Sequence, residues 1–145
     1  MKIEDIVSQW DIDSKIDQTD LGSESLNMPT LHHKYYKIYL GERAAYFKQK
    51  NELASFKHLK YEYFLGHLNN PEDLKELGWE PFQKKLLKSD VESYLDADKD
   101  LIDKKLKLSM QEEKLTYLEA IIKSINNRGF AIKNAIDWFR FTNGS

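Results

Sequence analysis

Residues 101–125 read LIDKKLKLSMQEEKLTYLEAIIKSI, and their apolar side chains recur with the spacing of a helix. The apolar positions at intervals of seven are Leu101, Leu108, Leu115 and Ile122. Two later positions on the same stripe are Leu118 and Ile125. A repeat of this kind predicts a long helix whose narrow apolar stripe packs against a partner. The chain is therefore predicted to be mainly α.

A second helix is predicted after Asn126-Asn127-Arg128-Gly129, a sequence typical of a helix C-cap or kink. It extends from about Phe130 to Phe141 and is apolar on more than one face. A terminal helix of this kind usually needs a neighbour, often another copy of the chain, although packing within the same chain is the alternative. The residues predicted to contact other copies are Leu101, Leu108, Leu115, Leu118, Ile122, Ile125, Phe130, Ile132, Ile136 and Phe139.

The sequence before residue 100 predicts further helices joined by turns. A short helix begins near Ile3, and residues 11–30 are expected to be extended or loosely ordered. A long helix then begins at the N-cap Thr30 and runs to about Leu68, weakened at Gly41.

Two proline-containing turns follow this long helix. Asn69-Asn70-Pro71 ends the helix, and Gly78-Trp79-Glu80-Pro81 is a turn or linker. Residues 82–95 are expected to be helical, while the alternation in residues 91–95 also allows a short strand.

Composition excludes several classes of protein. The 145 residues include no cysteine, so a thiolate metal site is excluded and the four histidines would need carboxylate ligands to hold a metal. No apolar run can span a bilayer, and the N-terminal residues lack a secretory signal, so a cytoplasmic location is expected. No cofactor is predicted.

No catalytic template fits, and the chain is predicted not to be an enzyme. The six glycines form no phosphate-binding loop. Acidic residues at 96, 98, 100 and 103 resemble a calcium loop, but no glycine or closing glutamate stands where such a loop needs it. Acidic side chains at a helix start, where they oppose the helix dipole, explain them more simply.

Charge is segregated along the chain although the net charge is only −2. Residues 1–30 hold two lysines and seven acidic residues, whereas residues 32–60 hold seven lysines or arginines and two acidic residues. Residues 61–83 are acidic again. This basic block fits either a binding site for a polyanion or charge pairing within the fold.

The basic block also has a helical pattern. Arg43, Lys50 and Lys57 recur every seven residues, and tyrosines fall on the same arc at Tyr36, Tyr39, Tyr46 and Tyr61. Bases can stack on such rings while the cations contact phosphates, which predicts binding of single-stranded nucleic acid. A tyrosine-rich core stripe with lysines reaching outward is the alternative.

Two short motifs in the last third carry a family resemblance. Ala97-Asp98-Lys99-Asp100, with Arg128-Gly129-Phe130-Ala131-Ile132-Lys133 about thirty residues later, resembles the C-terminal signature of the UvsY family, the recombination mediators of T-even-like tailed phages. The resemblance continues without gaps to the Glu4-Asp5 start.

This resemblance implies a non-enzymatic protein that acts in the cytoplasm of an infected bacterial host. Members form rings of six or seven subunits through C-terminal helices and bind single-stranded DNA. They contact a RecA-like recombinase and a single-strand-binding protein, so that the recombinase can displace that protein and begin a filament. Residues 1–80 are then the N-terminal helical region, with its DNA-binding block at 30–66, and residues 81–145 the oligomerisation region.

The family's DNA-binding motif, Leu-Lys-Ala-Arg-Leu, matches Lys57-His58-Leu59-Lys60-Tyr61 here. Both basic positions are altered, to His58 and Lys60. The residues predicted to contact DNA are Arg43, Lys50, Lys57, His58, Lys60 and Tyr61. The competing hypothesis is an adaptor that binds a partner protein through its acidic first thirty residues and Trp10, without touching DNA.

Overall fold

The computed structural model describes residues 1–144, which form six helices and no strand. The mainly α prediction is therefore confirmed. The helices are α1 (Ile3–Asp13), α2 (Leu21–Leu26), α3 (Met28–Phe64), α4 (Pro71–Leu77), α5 (Lys88–Ala97) and α6 (Lys99–Thr142).

The helix α6 is one uninterrupted element of 44 residues. Asp98 caps its start, because its carboxylate accepts a hydrogen bond of 3.0 Å from the Leu101 N–H. The C-cap or kink predicted at residues 126–129 is wrong. Ile125, Arg128 and Ile132 are all buried there, so tertiary packing holds the helical backbone through Gly129.

The helix α3 begins two residues earlier than predicted and ends sooner. Pro29 lies in its first turn, where a proline removes no intrahelical hydrogen bond. The helix runs through Gly41 and ends at Phe64, rather than near Leu68. Gly66 follows with φ of 81°, a left-handed conformation that glycine adopts readily and that stops the helix.

Two other expectations need correction. Part of the stretch predicted to be extended forms α2, whose N-cap Asp20 accepts from the Ser23 N–H at 3.3 Å. Residues 82–87 are not helical, and residues 91–95 belong to α5 instead of a strand. The alternation there is one side of a helix, with Val91 and Leu95 buried four residues apart.

The chain divides into two compact units, and both α3 and α6 contribute to each. The terminal unit comprises Met1–Ala44 and the part of α6 from Gln111 onward, and the central unit comprises Ala45–Met110. These two units are defined by how residues pack together within each. The functional division near residue 80 is a different one and stays a prediction.

The terminal unit is built around an apolar cluster of α1, α3 and α6. Its buried members are Ile6, Leu31, Tyr35, Leu118, Ile121 and Ile125. Trp10 packs edge-on against Tyr35 with ring centroids 5.4 Å apart. Burial and the hydrogen bond to Asp13 raise the pKa of the Tyr35 hydroxyl well above its usual value.

Polar contacts join the same helices. Glu42 on α3 accepts hydrogen bonds from Gln111 at 2.8 Å and Lys114 at 3.2 Å, both on α6. Burial alone would raise the pKa of Glu42, but these donors hold it below its usual value. The paired carboxylate therefore stays ionised within the buried contact.

The central unit is centred on aromatic packing. Its buried members are Tyr63, Phe64, Leu74, Val91, Leu95 and Leu101. Trp79, Phe82 and Tyr94 surround them, and the ring centroids of Phe64 and Phe82 are 5.1 Å apart. The Tyr63 hydroxyl donates to the Glu80 carbonyl, which fixes the segment between α4 and α5 against α3.

Candidate nucleic-acid interface

In the central unit, α3 exposes cations and an aromatic ring at helical spacing. Phe47, Lys50 and Lys57 follow one another at intervals of three and seven, which place them on the same face. Phe47 is 47% exposed, and Lys50 is also exposed. His58 lies beside Lys57 with its imidazole largely in solvent. This face, the α3 cationic face, is the strongest candidate for contact with a polyanion.

In the terminal unit, α3 carries a similar combination upstream. Tyr36, Leu40 and Arg43 are all exposed and are spaced by four and three residues. The Tyr36 ring is stacked on His32 at 5.7 Å between centroids. Arg43 and Lys50 are seven residues apart on the uninterrupted α3, as the sequence pattern predicted.

The ion pairs of Lys57 and His58 on the α3 cationic face are long and exposed. The Lys57 ammonium lies 3.9 Å from the Glu92 carboxylate, and both side chains are about half exposed or more. His58 is 3.9 Å from Glu62. An exposed pair of this kind contributes about 0 to 1 kcal/mol, so a phosphate can replace the carboxylate at little cost.

Lys60 lies in a different environment from its neighbours. It is only 5% exposed, and its ammonium lies 3.1 Å from Asp98 and 3.3 Å from Asp100. The ammonium also lies over the Trp79 ring, 4.1 Å from its centroid. The structure thus places Lys60 inside the central unit, where its charge is already compensated and shielded from solvent.

The four tyrosines predicted to stack on bases differ in how far their side chains are exposed. Tyr61 is half-buried against the core of the central unit, and Tyr46 is half-buried with its ring edge-on to Phe47. Tyr39 donates to Glu119 at 2.9 Å, a hydrogen bond that raises its pKa. Of the four, Tyr36 presents the most open ring.

Two features were missed in the sequence. Phe47 is not one of the tyrosines of the predicted pattern, but its spacing from Arg43 and Lys50 places its ring among the cations. Lys104 and Lys107 of α6 border an open cleft of about 220 Å³ with Gln49, Glu52 and Leu53 of α3. Only the pairing of α3 with α6 reveals this second group of cations.

The described residues contain no arrangement that suggests a metal site. No group of three or more histidine or acidic side chains within residues 1–144 could hold a metal ion. Over the same residues, no helix has the length and apolarity needed to cross a membrane. Neither observation bears on what other molecules the α3 cationic face binds.

The residues predicted to contact other copies fall into two groups. Five of the ten are buried within their own chain: Leu101, Leu115, Leu118, Ile125 and Ile132. Leu108, Ile122 and Ile136 are half-buried. Phe130 and Phe139 are exposed, so these two remain the members of the set most available to a neighbouring subunit.

The two signature motifs have structural roles in this chain. Asp98 caps α6 and pairs with Lys60. Arg128 is buried and donates to the carbonyls of Asp13 and Lys15 and, at 2.6 Å, to the Glu24 carboxylate. Arg128 therefore fixes α6 to the end of α1, to the segment that follows it and to α2.

Comparison with known proteins gives one consistent match. Residues 9–145 match the family model described as recombination, repair and ssDNA binding protein UvsY. The chain is 26% identical over 144 residues to the recombination protein UvsY of Enterobacteria phage T4, covering 99% of each sequence.

Crystal structures of the bacteriophage T4 recombination mediator protein UvsY have the same fold. One matches with a TM-score of 0.83 at 22% identity, covering 97% of this chain and 99% of the other. A second matches with a TM-score of 0.82 at 24% identity, covering 99% and 98%. At this identity the likeness concerns the path of the helices.

Proposed function

The chain belongs to the UvsY family of recombination, repair and single-stranded-DNA-binding proteins, and from this premise we propose that it is a recombination mediator. It binds single-stranded DNA and helps to load a RecA-like recombinase onto strand coated with single-strand-binding protein, in recombination-dependent replication and repair. The observation that carries the proposal is the exposed alternation of rings and cations on α3.

The chemistry of the α3 cationic face suits a single strand better than a duplex. Cations seven residues apart are separated by about 10.5 Å along a helix, so each can contact a different phosphate of a flexible strand. The Phe47 side chain is 47% exposed, and an aromatic ring can stack on an unpaired base, which a duplex does not offer. Arg43, Lys50, Lys57 and His58 are the proposed contacts.

Two of the predicted DNA contacts are revised in this proposal. Lys60 is assigned to the fold, because its ammonium is buried between Asp98 and Asp100. Tyr61 is half-buried against the core of the central unit, so it is no longer proposed as a contact. Phe47 and Tyr36 take the place of Tyr61 as exposed rings near the cations.

A homo-oligomer, hexameric or heptameric, completes the proposed mechanism. Few cations per subunit give a weak and salt-dependent contact with DNA. Several linked subunits multiply that affinity through avidity, while each one can release the strand separately. A mediator needs this behaviour, since it must organise the strand and then yield it to the recombinase.

The packing of Trp10 gives less support to the competing adaptor hypothesis. It relied on Trp10 as a ring offered to a partner protein, but Trp10 is half-buried and packed against Tyr35 in the terminal unit. The acidic residues nearby are also partly engaged, with Asp13 accepting from Lys34 at 2.6 Å.

The test is the affinity for a fluorescent single-stranded oligonucleotide across a salt series, followed by anisotropy. The double variant Lys50→Glu, Lys57→Glu should bind about tenfold to a hundredfold more weakly. Its slope of log affinity against log salt should be less steep by about 1.4, or 0.7 for each lost phosphate contact. The variant should also fail to speed recombinase assembly on coated strand.

The matched control is Lys15→Glu, Lys75→Glu, which changes the net charge equally at exposed lysines outside α3. This control should keep most of the affinity and nearly all of the salt slope. Equal losses in both double variants would mean that net charge, rather than the α3 cationic face, governs binding.

A further inference from the structure

Two lysines of the α3 cationic face differ in whether a carboxylate lies beside them. The Lys57 ammonium is 3.9 Å from the Glu92 carboxylate of α5, and Glu92 is its only ion-pair partner among residues 1–144. Lys50 lies seven residues earlier on the same face and makes no ion pair with any residue that the structure describes. Of two similar cations, one therefore has a carboxylate that can compete with a phosphate.

The position of Glu92 is set by the packing of α5. Val91 and Leu95 of this helix are 0% and 1% exposed and belong to the apolar cluster of the central unit. Tyr94 packs on Phe64 of α3 with ring centroids 5.6 Å apart. These contacts hold α5 against α3, so the Glu92 carboxylate stays beside the α3 cationic face whether or not it forms an ion pair.

The fold gains little from the pair of Lys57 and Glu92. Their side chains are 44% and 63% exposed, and the charged groups are far apart for an ion pair. Solvent screens a pair at this exposure, so neither helix depends on it. An acidic group at the rim of a surface for a polyanion is unfavourable for binding, because it repels the phosphates that the cations attract.

We propose that Glu92 is an intramolecular competitor for DNA, which occupies Lys57 when the strand is absent and takes it back as the strand leaves. The inference rests on the proposed binding of single-stranded DNA and concerns how that binding is weakened. A carboxylate and a backbone phosphate are both anions that accept hydrogen bonds from an ammonium, so they compete for Lys57. The affinity of each subunit for a strand is therefore lower than its cations alone would give.

Glu62, the other carboxylate near this face, is less available to compete. It lies 2.6 Å from the His67 imidazole and 3.9 Å from His58, so the closer histidine holds it. His58 also carries a charge only when it is protonated. Glu92 has a lysine as its partner and no closer partner in the described residues, so Glu92 is the proposed competitor.

A weakened contact suits a protein that must release the strand to another protein. A phosphate that leaves Lys57 is replaced by a carboxylate that the fold already holds nearby, which favours stepwise dissociation. In the proposed homo-oligomer, the effect multiplies over all the subunits that hold one strand. Glu92 thus sets how readily each subunit lets go.

The test compares Glu92→Gln with the wild type by anisotropy, using a short fluorescent single-stranded oligonucleotide at low salt. The variant keeps the shape of the side chain but removes the competing charge, so it should bind about twofold to fivefold more tightly. The gain should shrink as added salt screens the pair. Glu76→Gln is the matched control, at an exposed residue of α4 in the same unit, and it should leave the affinity nearly unchanged.

A double-mutant cycle identifies the pair as the cause. In a Lys57→Gln background, Glu92→Gln should give no further gain. In a Lys50→Gln background the gain should remain, because Lys50 has no competing carboxylate in the described residues. Equal gains from Glu92→Gln and Glu76→Gln, or a gain that persists without Lys57, would overturn the proposal and indicate an effect of net charge.

Two further measurements separate this inference from the proposals on which it rests. Thermal unfolding of Glu92→Gln should match the wild type, and a clear loss of stability would mean that the pair serves the fold instead. If Lys57→Gln weakened binding while Glu92→Gln gave no gain, competition would be refuted but DNA binding would stand. A wild type that binds no strand would refute both.

Discussion

Lys57 and Lys60 are the same residue type, three positions apart on one helix, yet they meet different surroundings. Lys57 is about half exposed and reaches Glu92 only at 3.9 Å. Lys60 is buried under Trp79 and pairs with two aspartates. A buried ammonium needs such partners, because removing an unpaired charge from water is costly. The second basic position of the family motif is therefore a structural position in this chain.

Replacing Lys60 with methionine should lower stability without changing the intrinsic contact with DNA. The change leaves the Asp98 carboxylate poorly compensated, and we expect the free energy of unfolding to fall by about 3 kcal/mol. Urea unfolding measures this loss. Below the melting temperature, short-oligonucleotide affinity and its salt slope should match the wild type.

Lys60→Arg is the conservative control, since the family motif has arginine at this position and the guanidinium can also pair with Asp98. It should retain most of the stability. If Lys60→Met instead reduced the salt slope as Lys57→Glu does, the assignment of Lys60 to the fold would be wrong.

At the scale of elements, the spacing of apolar residues predicts where helices form but not where they end. The stripe of residues 101–125 correctly predicts most of α6. The sequence 126–129 suggests a break because asparagine and glycine favour helix ends in isolation. In the folded chain Arg128 makes three hydrogen bonds to the first 24 residues, and these contacts outweigh the low helix propensity of Gly129.

The continuity of α6 predicts the effect of Gly129→Ala. Alanine loses less backbone entropy in a helix interior, which should raise stability by about 0.5 to 1 kcal/mol. Its Cβ would lie 3.4 Å from the flexible end of the Met28 side chain, an ordinary contact. Thermal unfolding compares the variant with the wild type.

Gly41→Ala is the matched control, because the added Cβ on α3 would meet nothing within 4 Å. It should stabilise by a similar amount. A marked loss of stability in Gly129→Ala alone would indicate that residue 129 needs a backbone conformation that only glycine adopts, contrary to an uninterrupted α6.

At the scale of the whole molecule, the two long helices each serve both compact units, so each carries core residues and exposed surfaces along its length. The core side of α6 includes Leu115 and Leu118, and its exposed side includes Leu106 and Trp138. Phe130 and Phe139 are the exposed members of the set predicted to contact other copies, and the core of the fold does not use them. A substitution at either position should therefore leave the subunit folded.

A variant that cannot assemble should lose affinity for long single-stranded DNA but keep its affinity for short DNA, because avidity requires linked subunits. Phe139→Asp, at an exposed position predicted to contact other copies, should bind a short oligonucleotide, sized for one subunit, with wild-type affinity. On a strand long enough for several subunits, its affinity should fall by about a hundredfold or more, because linked sites no longer act together. Anisotropy with both lengths measures the ratio. An equal loss on both would place Phe139 in the DNA contact itself.

The sequence by itself determined the helical class, the spacing of Arg43, Lys50 and Lys57 on one helix, and the signature motifs that mark the family. Only the tertiary structure decided which face of each helix is covered. It buried Lys60 and Leu115 while leaving Phe47 and Leu106 in solvent. The physical reason is that periodicity reveals which residues share a face, whereas burial depends on elements distant in sequence that pack against it.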